Sequence, residues 1–385
     1  MRVLFISTPS ASHFTPLAPL AWALRGAGHD VVVAGQPDID GIVRASGFVG
    51  FQTGAAFDGE AVLLRGLAPW QRPLQVRPRD RLRIEGYARA WSGHAERVVR
   101  QHLDFARSYR PDLIVGDPLE YSTLIIGRAL DVPVVHHRWG VDSLAGEALG
   151  FAREHLRELC AELGVGALPD PAVLLDPCPP SLQLPGAASG VPVRHVPYSA
   201  NWRLPDGFPW GEGQDGGTRR VGLSLGGTLR LNGTGFVVRL LRALGEIPDI
   251  EVLATVPAEL RGLVGEVPAT VRCVGAVPLG LLLEQCAAVV HHGGSGTSMT
   301  ATLAGLPQLV LPQIADNFGH GDRLARLGAA VSLDTAEAQD APKRLRDALT
   351  DVLDDPRYTG AARRLRAEML LMPTPAGVVR DLENL

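Results

Sequence analysis

The chain has 385 residues, of which 46% are hydrophobic and 20% charged, with a formal net charge of −4. That length exceeds one ordinary core and suits two domains of about 150–200 residues each, and the apolar content excludes a disordered chain. The near-neutral charge leaves no electrostatic footprint for nucleic acid or an anionic membrane, and the short basic run at 77–83 reads as a solvated helix face.

Cys160, Cys178, Cys273 and Cys286 are scattered without a CxxC pair and read as reduced thiols of a cytoplasmic protein. No secretory leader is legible, because only VLFI follows Arg2 before Ser7 and Pro9 interrupt it. The uncharged stretch 285–315 is cut by glycines, prolines and histidines, so it holds no apolar span of about 20 residues. The single lysine, Lys343, sits on a polar helix pattern. A Walker phosphate loop and Schiff-base chemistry each need a lysine in the site, so both are excluded.

In chain order, residues 3–6 read as a short buried strand and 7–14 as a loop. Thr15 then caps a helix with Pro16 in its first turn and Leu17, Leu20, Ala21 and Leu24 at helical spacing. Gly28 ends that helix and DVVVAG (30–35) is the next strand. PDLIVGD (111–117) and VPVVHHR (132–138) are continuous apolar runs, the pattern of parallel strands covered on both faces. A second series starts near Arg220 with VGLSLGG, a helix over 236–244, and then IEVLATV, VRCVGAVP, CAAVVHHGG and LPQLVLPQ. Residues 196–220, crowded with Pro, Gly and Trp, have no period and read as the connection. The expected fold is α/β, with two doubly wound, Rossmann-like domains facing across a cleft. The first spans 1–200 and the second 220–370, joined by a linker at 201–219, with 371–385 returning to the first domain. Ligands in such sheets bind outside the carboxyl ends of the strands.

One such loop follows CAAVV. The strand runs into His291-His292, sheds its side chains through Gly293 and Gly294, and enters a helix near Ser295 or Gly296 that closes at Gly305. Bare N–H groups at the positive end of a helix favour an anion, and His292, Ser295 and Thr297 add donors. The pattern predicts a diphosphate held without lysine or metal, with a tight packing turn as the alternative. The pairs His136-His137 and His291-His292 are poor chelators, because neighbours on a strand point to opposite faces. Asp38-Ile39-Asp40 reads as helix-start capping rather than a metal–nucleotide motif. Gly222 to Gly226 formally match GxSxG, followed by Asp316 and His320. The alternation of Val221, Leu223 and Leu225 puts Ser224 in a strand, however, and a hydrolase nucleophile needs the strand-to-helix turn. No GxGxxG follows the first strand, which argues against a nicotinamide enzyme.

VVHHGGSGT (289–297), the helix after it and PQIADNFGHGDRL (312–324) together resemble the signature of GT-B nucleotide-sugar glycosyltransferases, the inverting enzymes that decorate natural products. SLGGT (224–228) and GAVPLGLLL (275–283) stand where that family keeps its first phosphate-side loop and its base-binding loop. HRWGVD (137–142) and LDPCPPSLQ (175–183) are similar to strings of deoxysugar transferases acting on polyketides. The resemblance implies that His292, Gly294, Ser295, Gly296 and Thr297 hold a diphosphate, with Thr228 assisting, and that Val277 presents backbone to the base. It implies that Asp316 and Asn317 bind sugar hydroxyls, and that His13 takes the acceptor's proton with Asp117 orienting it, Glu120 lying nearby. Phe57, Trp70, Trp91 and Trp139 become walls for an apolar acceptor. His13 precedes a predicted helix start, whose dipole would keep the imidazole neutral.

The implied reaction moves a 6-deoxysugar of rhamnose or olivose type from a dTDP-sugar to a hydroxyl of a polyketide or other natural-product aglycone, with no metal and no cofactor. The partners are the nucleotide-sugar donor and the aglycone, and a homodimer is left open. Ala276 stands where relatives often carry an aromatic, and Asn317 where many carry glutamine. The alternatives are C-glycosylation of an aromatic ring, a nucleotide-sugar epimerase on the same plan, and a non-catalytic partner of another transferase.

Overall fold

The computed structural model of the chain describes residues 1–59, 67–68, 71–76, 84–198, 204, 218–275 and 277–385. Strand β1 (Arg2–Ile6) divides its side chains between two cores: Val3 and Phe5 join one apolar cluster, Leu4 and Ile6 another. A strand buried on both faces must be apolar throughout, which is why these segments lack the polar alternation of a half-exposed sheet. With β2 (Asp30–Gly35), β3 (Val49–Gln52), β4 (Leu113–Gly116), β5 (Val134–His137), β6 (Val173–Asp176) and β7 (Val191–Pro192) it forms a parallel sheet in the order β3-β2-β1-β4-β5-β6-β7.

The second sheet repeats the plan. Strands β8 (Arg219–Ser224), β9 (Ile250–Ala254), β10 (Val271–Cys273), β11 (Ala288–His291), β12 (Gln308–Val310) and β13 (Ala330–Ser332) run parallel in the order β10-β9-β8-β11-β12-β13. Val221 and Leu223 face one core of this domain. On the opposite side Gly222 leaves room for Leu283, since a β-carbon there would come within 2.9 Å of it. The two doubly wound domains expected from the continuous apolar runs are present.

The C-terminal helix Pro375–Glu383 lies on the first domain, where Val378, Val379 and Leu382 share a core with Leu20 and Leu24. Its Glu383 carboxylate meets His29 at 2.8 Å. Other contacts join the domains directly. Arg72 donates to Gln339 at 3.1 Å and to Asp340 at 2.8 Å, and its guanidinium lies 4.0 Å from the Phe236 ring centre. Arg323 donates to the carbonyls of Leu182 and Ser181. Among the described residues no helix is long and apolar enough to cross a membrane.

The first loop differs from expectation. Residues 7–14 are not all loop: Ala11–Phe14 is a single helical turn, and the longer helix is Ala18–Gly26 with Pro19 in its first turn. Thr15 closes the short turn through its N–H to the Ala11 carbonyl. Pro19 suits a helix start because its missing N–H is one that would have no partner there. His13 therefore lies in the last turn of a short helix, separated by residues 14–17 from the start of the longer one, and not directly at a helix N-terminus.

Candidate active site

Each sheet reverses its winding once, between β1 and β4 in the first domain and between β8 and β11 in the second. The crevice outside the carboxyl ends of such strand pairs is the preferred ligand position of a doubly wound sheet. Both halves of the candidate site lie there.

In the first domain, the register that pairs Ile6 with Gly116 brings Thr8 and Asp117 side by side. Asp117 is fully buried and accepts from the Thr8 N–H at 2.8 Å, the Thr8 hydroxyl at 2.9 Å and the Leu119 N–H at 3.1 Å. His13 Nδ1 lies 2.5 Å from Thr8 Oγ1 and 3.9 Å from the nearer Asp117 oxygen. The carboxylate does not touch the imidazole; the Thr8 hydroxyl relays between them. A hydroxyl has one hydrogen. Given to Asp117, it leaves Thr8 Oγ1 as acceptor, so His13 carries its hydrogen on Nδ1 and bares Nε2. The sequence reading missed Thr8, although a hydroxyl just after the first strand and five residues before a candidate base was a usable signal. A Thr8→Val variant is expected to lose about tenfold in kcat, the scale of one hydrogen bond to a charged network, while Thr8→Ser retains most activity. Steady-state kinetics on the three proteins checks this.

The helix-dipole argument for a neutral His13 is replaced by burial. Removal from water lowers the His13 pKa, opposed by Asp117, by Asp316 from the other domain and by Glu120. The Trp139 ring centre is 4.2 Å from that of His13 and the Trp91 centre 5.9 Å, and Phe57 stacks on Trp91 at 5.6 Å. Two of the four aromatics expected on the acceptor side thus pack against the imidazole and Phe57 backs one of them, Trp91; Trp70 lies outside the described residues. Burial also pushes the Asp117 carboxyl up, while His13 and the Thr8 donors pull it down. Glu120 is not the orienting carboxylate. It bonds His94 at 2.9 Å and Ser122 at 2.6 Å behind the aromatics. Burial alone would raise its pKa, but His94, His102 and Ser122 bring it to about 2.

In the second domain, the helix Ser295–Ala304 begins after Gly294 with no side chain capping it. Its first N–H groups have no partner within the helix, Gly296 is exposed and Thr297 half-buried, so bare donors face the cleft at the positive helix end. The histidine pair divides as strand geometry requires. His291 holds the turn, accepting from the Gly293 N–H at 3.0 Å and donating to Gln308 at 2.8 Å. His292 turns the other way, its Nδ1 3.5 Å from the Ser224 carbonyl. Burial lowers the His292 pKa to about 4. Gly226 and Gly294 make its space: a β-carbon would sit 2.7 Å from the ring at Gly226 and 2.2 Å at Gly294.

The other expected residues vary in how they fit. The Thr228 hydroxyl donates to the Leu225 carbonyl at 2.7 Å, so its hydrogen is not free for a phosphate. The Ser295 hydroxyl likewise turns away from the helix end, to Asp316 at 3.0 Å and His320 at 2.9 Å. The Val277 side chain is core, beside Leu282 and Leu283. Asn317 accepts from the N–H groups of Gln313 and Ile314 at 3.4 and 3.3 Å, bracing the turn before it. In that turn Ala315 has φ +42, a left-handed conformation costly for a residue with a β-carbon and typical of functional sites. Asp316 lines a small cleft with Pro118 and Trp139, so the two half-sites meet. Ser224 ends β8 with its carbonyl facing His292, which is not the turn a hydrolase nucleophile occupies.

The comparisons agree with this fold. The model of the erythromycin biosynthesis protein CIII-like N-terminal domain matches residues 22–226, and that of the corresponding C-terminal domain matches 238–385. Tylactone mycaminosyltransferase of Streptomyces fradiae is 36% identical, covering 100% of this chain and 92% of its own length. The spinosyn rhamnosyltransferase SpnG has been solved with thymidine diphosphate, at 35% identity and TM-score 0.89. It has also been solved with spinosyn aglycone, at 34% and 0.88, each structure covering 100% of both chains. With its two half-sites meeting across the cleft, the chain belongs to the erythromycin biosynthesis protein CIII-like family of GT-B glycosyltransferases.

Proposed function

We propose that this glycosyltransferase moves a 6-deoxysugar from a dTDP-sugar to a hydroxyl of a polyketide aglycone, with inversion and without a metal ion. The observation that carries the reading is the opposition of two half-sites. His13, with a bare Nε2 and an aromatic surround, lies at one switch point, and an uncapped helix N-terminus at the other. That SpnG binds thymidine diphosphate and an aglycone supports the same pair of substrates here.

In this mechanism His13 Nε2 takes the proton of the acceptor hydroxyl as the oxygen forms its bond to the anomeric carbon. The bond from that carbon to the diphosphate breaks, and the electron pair leaves with dTDP. A single displacement inverts the centre. Charge on the leaving diphosphate meets the N–H groups of residues 295–297 and the helix dipole, pre-set donors of the kind commonly worth several kcal/mol. Asp316 accepts from a sugar hydroxyl. Phe57, Trp91 and Trp139 exclude water, which matters because a deoxysugar donor readily forms the oxocarbenium-like state that water would capture.

A panel of dTDP- and UDP-sugars with a polyketide aglycone, followed by mass and with the linkage read by NMR, tests the proposal. Transfer from a dTDP-6-deoxysugar, undiminished by EDTA and giving an O-linked product, is the expected result. Loss of activity in EDTA overturns the metal-free mechanism. A carbon-linked product overturns the hydroxyl acceptor, and donor turnover without aglycone points to an epimerase.

A further inference from the structure

His320, Ser295 and Asp316 form a hydrogen-bonded chain at the edge of the proposed donor site, with the serine in the middle. Ser295 Oγ lies 3.0 Å from Asp316 Oδ2 and 2.9 Å from His320 Nε2. The hydroxyl carries one hydrogen and a carboxylate oxygen none. The serine hydrogen therefore goes to Asp316, and His320 supplies the other from Nε2. The surroundings agree: His320 is fully buried, burial lowers its pKa to about 4, and among the described residues its Nδ1 has no hydrogen-bond partner, as the bare nitrogen of that tautomer would.

The ring is also held from the first domain. Gly140, next to Trp139, packs so closely that a β-carbon there would sit 2.5 Å from His320 Cε1. His320 thus stands between the loop that walls the acceptor side and the carboxylate that faces the same cleft.

This arrangement assigns the Ser295 hydroxyl differently from the sequence reading. Although it opens the phosphate-side helix, its hydrogen is committed to Asp316, leaving only its backbone N–H for an anion. We infer that His320 is a positioning residue which, through the Ser295 hydroxyl, holds Asp316 for the sugar of the donor and contributes nothing to the diphosphate. The inference rests on the donor site proposed above and extends it by separating sugar recognition from phosphate recognition.

The test compares His320→Leu, His320→Gln and Ser295→Ala with the wild type. It uses calorimetry with dTDP, kcat and KM with dTDP-rhamnose and a polyketide aglycone, and thermal unfolding for each protein. His320→Leu and Ser295→Ala are expected to bind dTDP within about twofold of wild type. Each is expected to lose about tenfold in kcat/KM with the sugar donor, the scale of one hydrogen bond to a charged group. His320→Gln, whose amide nitrogen stands near the Nε2 position and can still donate to Ser295, is expected to recover most of that loss. Ser295→Ala removes only one oxygen, so it carries the test if the His320 variants fail to fold. Equal weakening of dTDP and the sugar donor, no loss in either, or a glutamine variant no better than leucine overturns the inference. Wild-type protein that does not bind dTDP overturns the donor-site reading itself. Intact dTDP binding with unchanged kcat/KM in Ser295→Ala overturns only the role given to His320.

Discussion

His13→Ala is expected to lower kcat by about 10²–10⁴-fold, the usual contribution of a positioned general base, and to leave dTDP affinity close to that of the wild type. The separation follows from the architecture: His13 is attached to β1 of the first domain, whereas the uncapped helix end belongs to the second. Its pH dependence has a defined sign. The base works as neutral imidazole, and burial places its pKa below the ordinary histidine value of about 6.5. Wild-type kcat/KM should therefore be level through neutrality and fall only as the pH drops through that lowered pKa. The alanine variant should lose this acid limb. A variant that keeps both the limb and the rate would remove His13 from the mechanism. Stopped-assay kinetics across pH, with dTDP titrations on the same proteins, decides the point.

Gly294→Ala is expected to weaken dTDP binding by about 10–100-fold, as much as His292→Ala, and the double variant no further. The backbone at Gly294, φ −63 and ψ 142, suits alanine. The obstacle is the His292 ring, whose Nε2 would lie 2.2 Å from the new β-carbon. Alanine must turn that ring out of place, so both substitutions remove one contact and their effects do not add. The magnitude is that of a hydrogen bond to a charged group. The Ser224 carbonyl, 3.5 Å away, draws the His292 hydrogen to Nδ1. An arriving diphosphate opposes burial and favours the imidazolium, giving Nε2 a hydrogen to donate. Additive losses in the double variant would show that Gly294 acts through something other than His292.

The parts of this site that were legible in advance are local in the chain. A strand, a glycine turn and a helix start within residues 288–297 are readable there, because each depends on neighbouring residues and needs no distant partner. The split of His291 from His292 followed from strand periodicity alone. Thr8 was missed because its role appears only when β1 and β4 pair in register and Asp117 arrives beside it. The cause of His13's lowered pKa was misassigned for a related reason. A helix start is visible in sequence, but burial by Trp91 and Trp139 requires residues 78 and 126 positions away to reach one ring. The hydroxyls of Ser295 and Thr228 look alike as donors on paper, and only their bonded neighbours show that each hydrogen is already used.

By itself the sequence determined that the chain folds as two parallel, doubly wound domains and that a glycine turn leads from a strand into a helix start in the second, since apolar continuity and glycine placement are properties of neighbouring residues. Only the tertiary structure decided which hydroxyl links His13 to its carboxylate, which aromatics enclose it, and that Ser295 serves Asp316. Those assignments depend on which atoms come within about 3 Å of each other, the reach of a hydrogen bond, and strand register and domain docking set such distances where neighbouring residues alone do not.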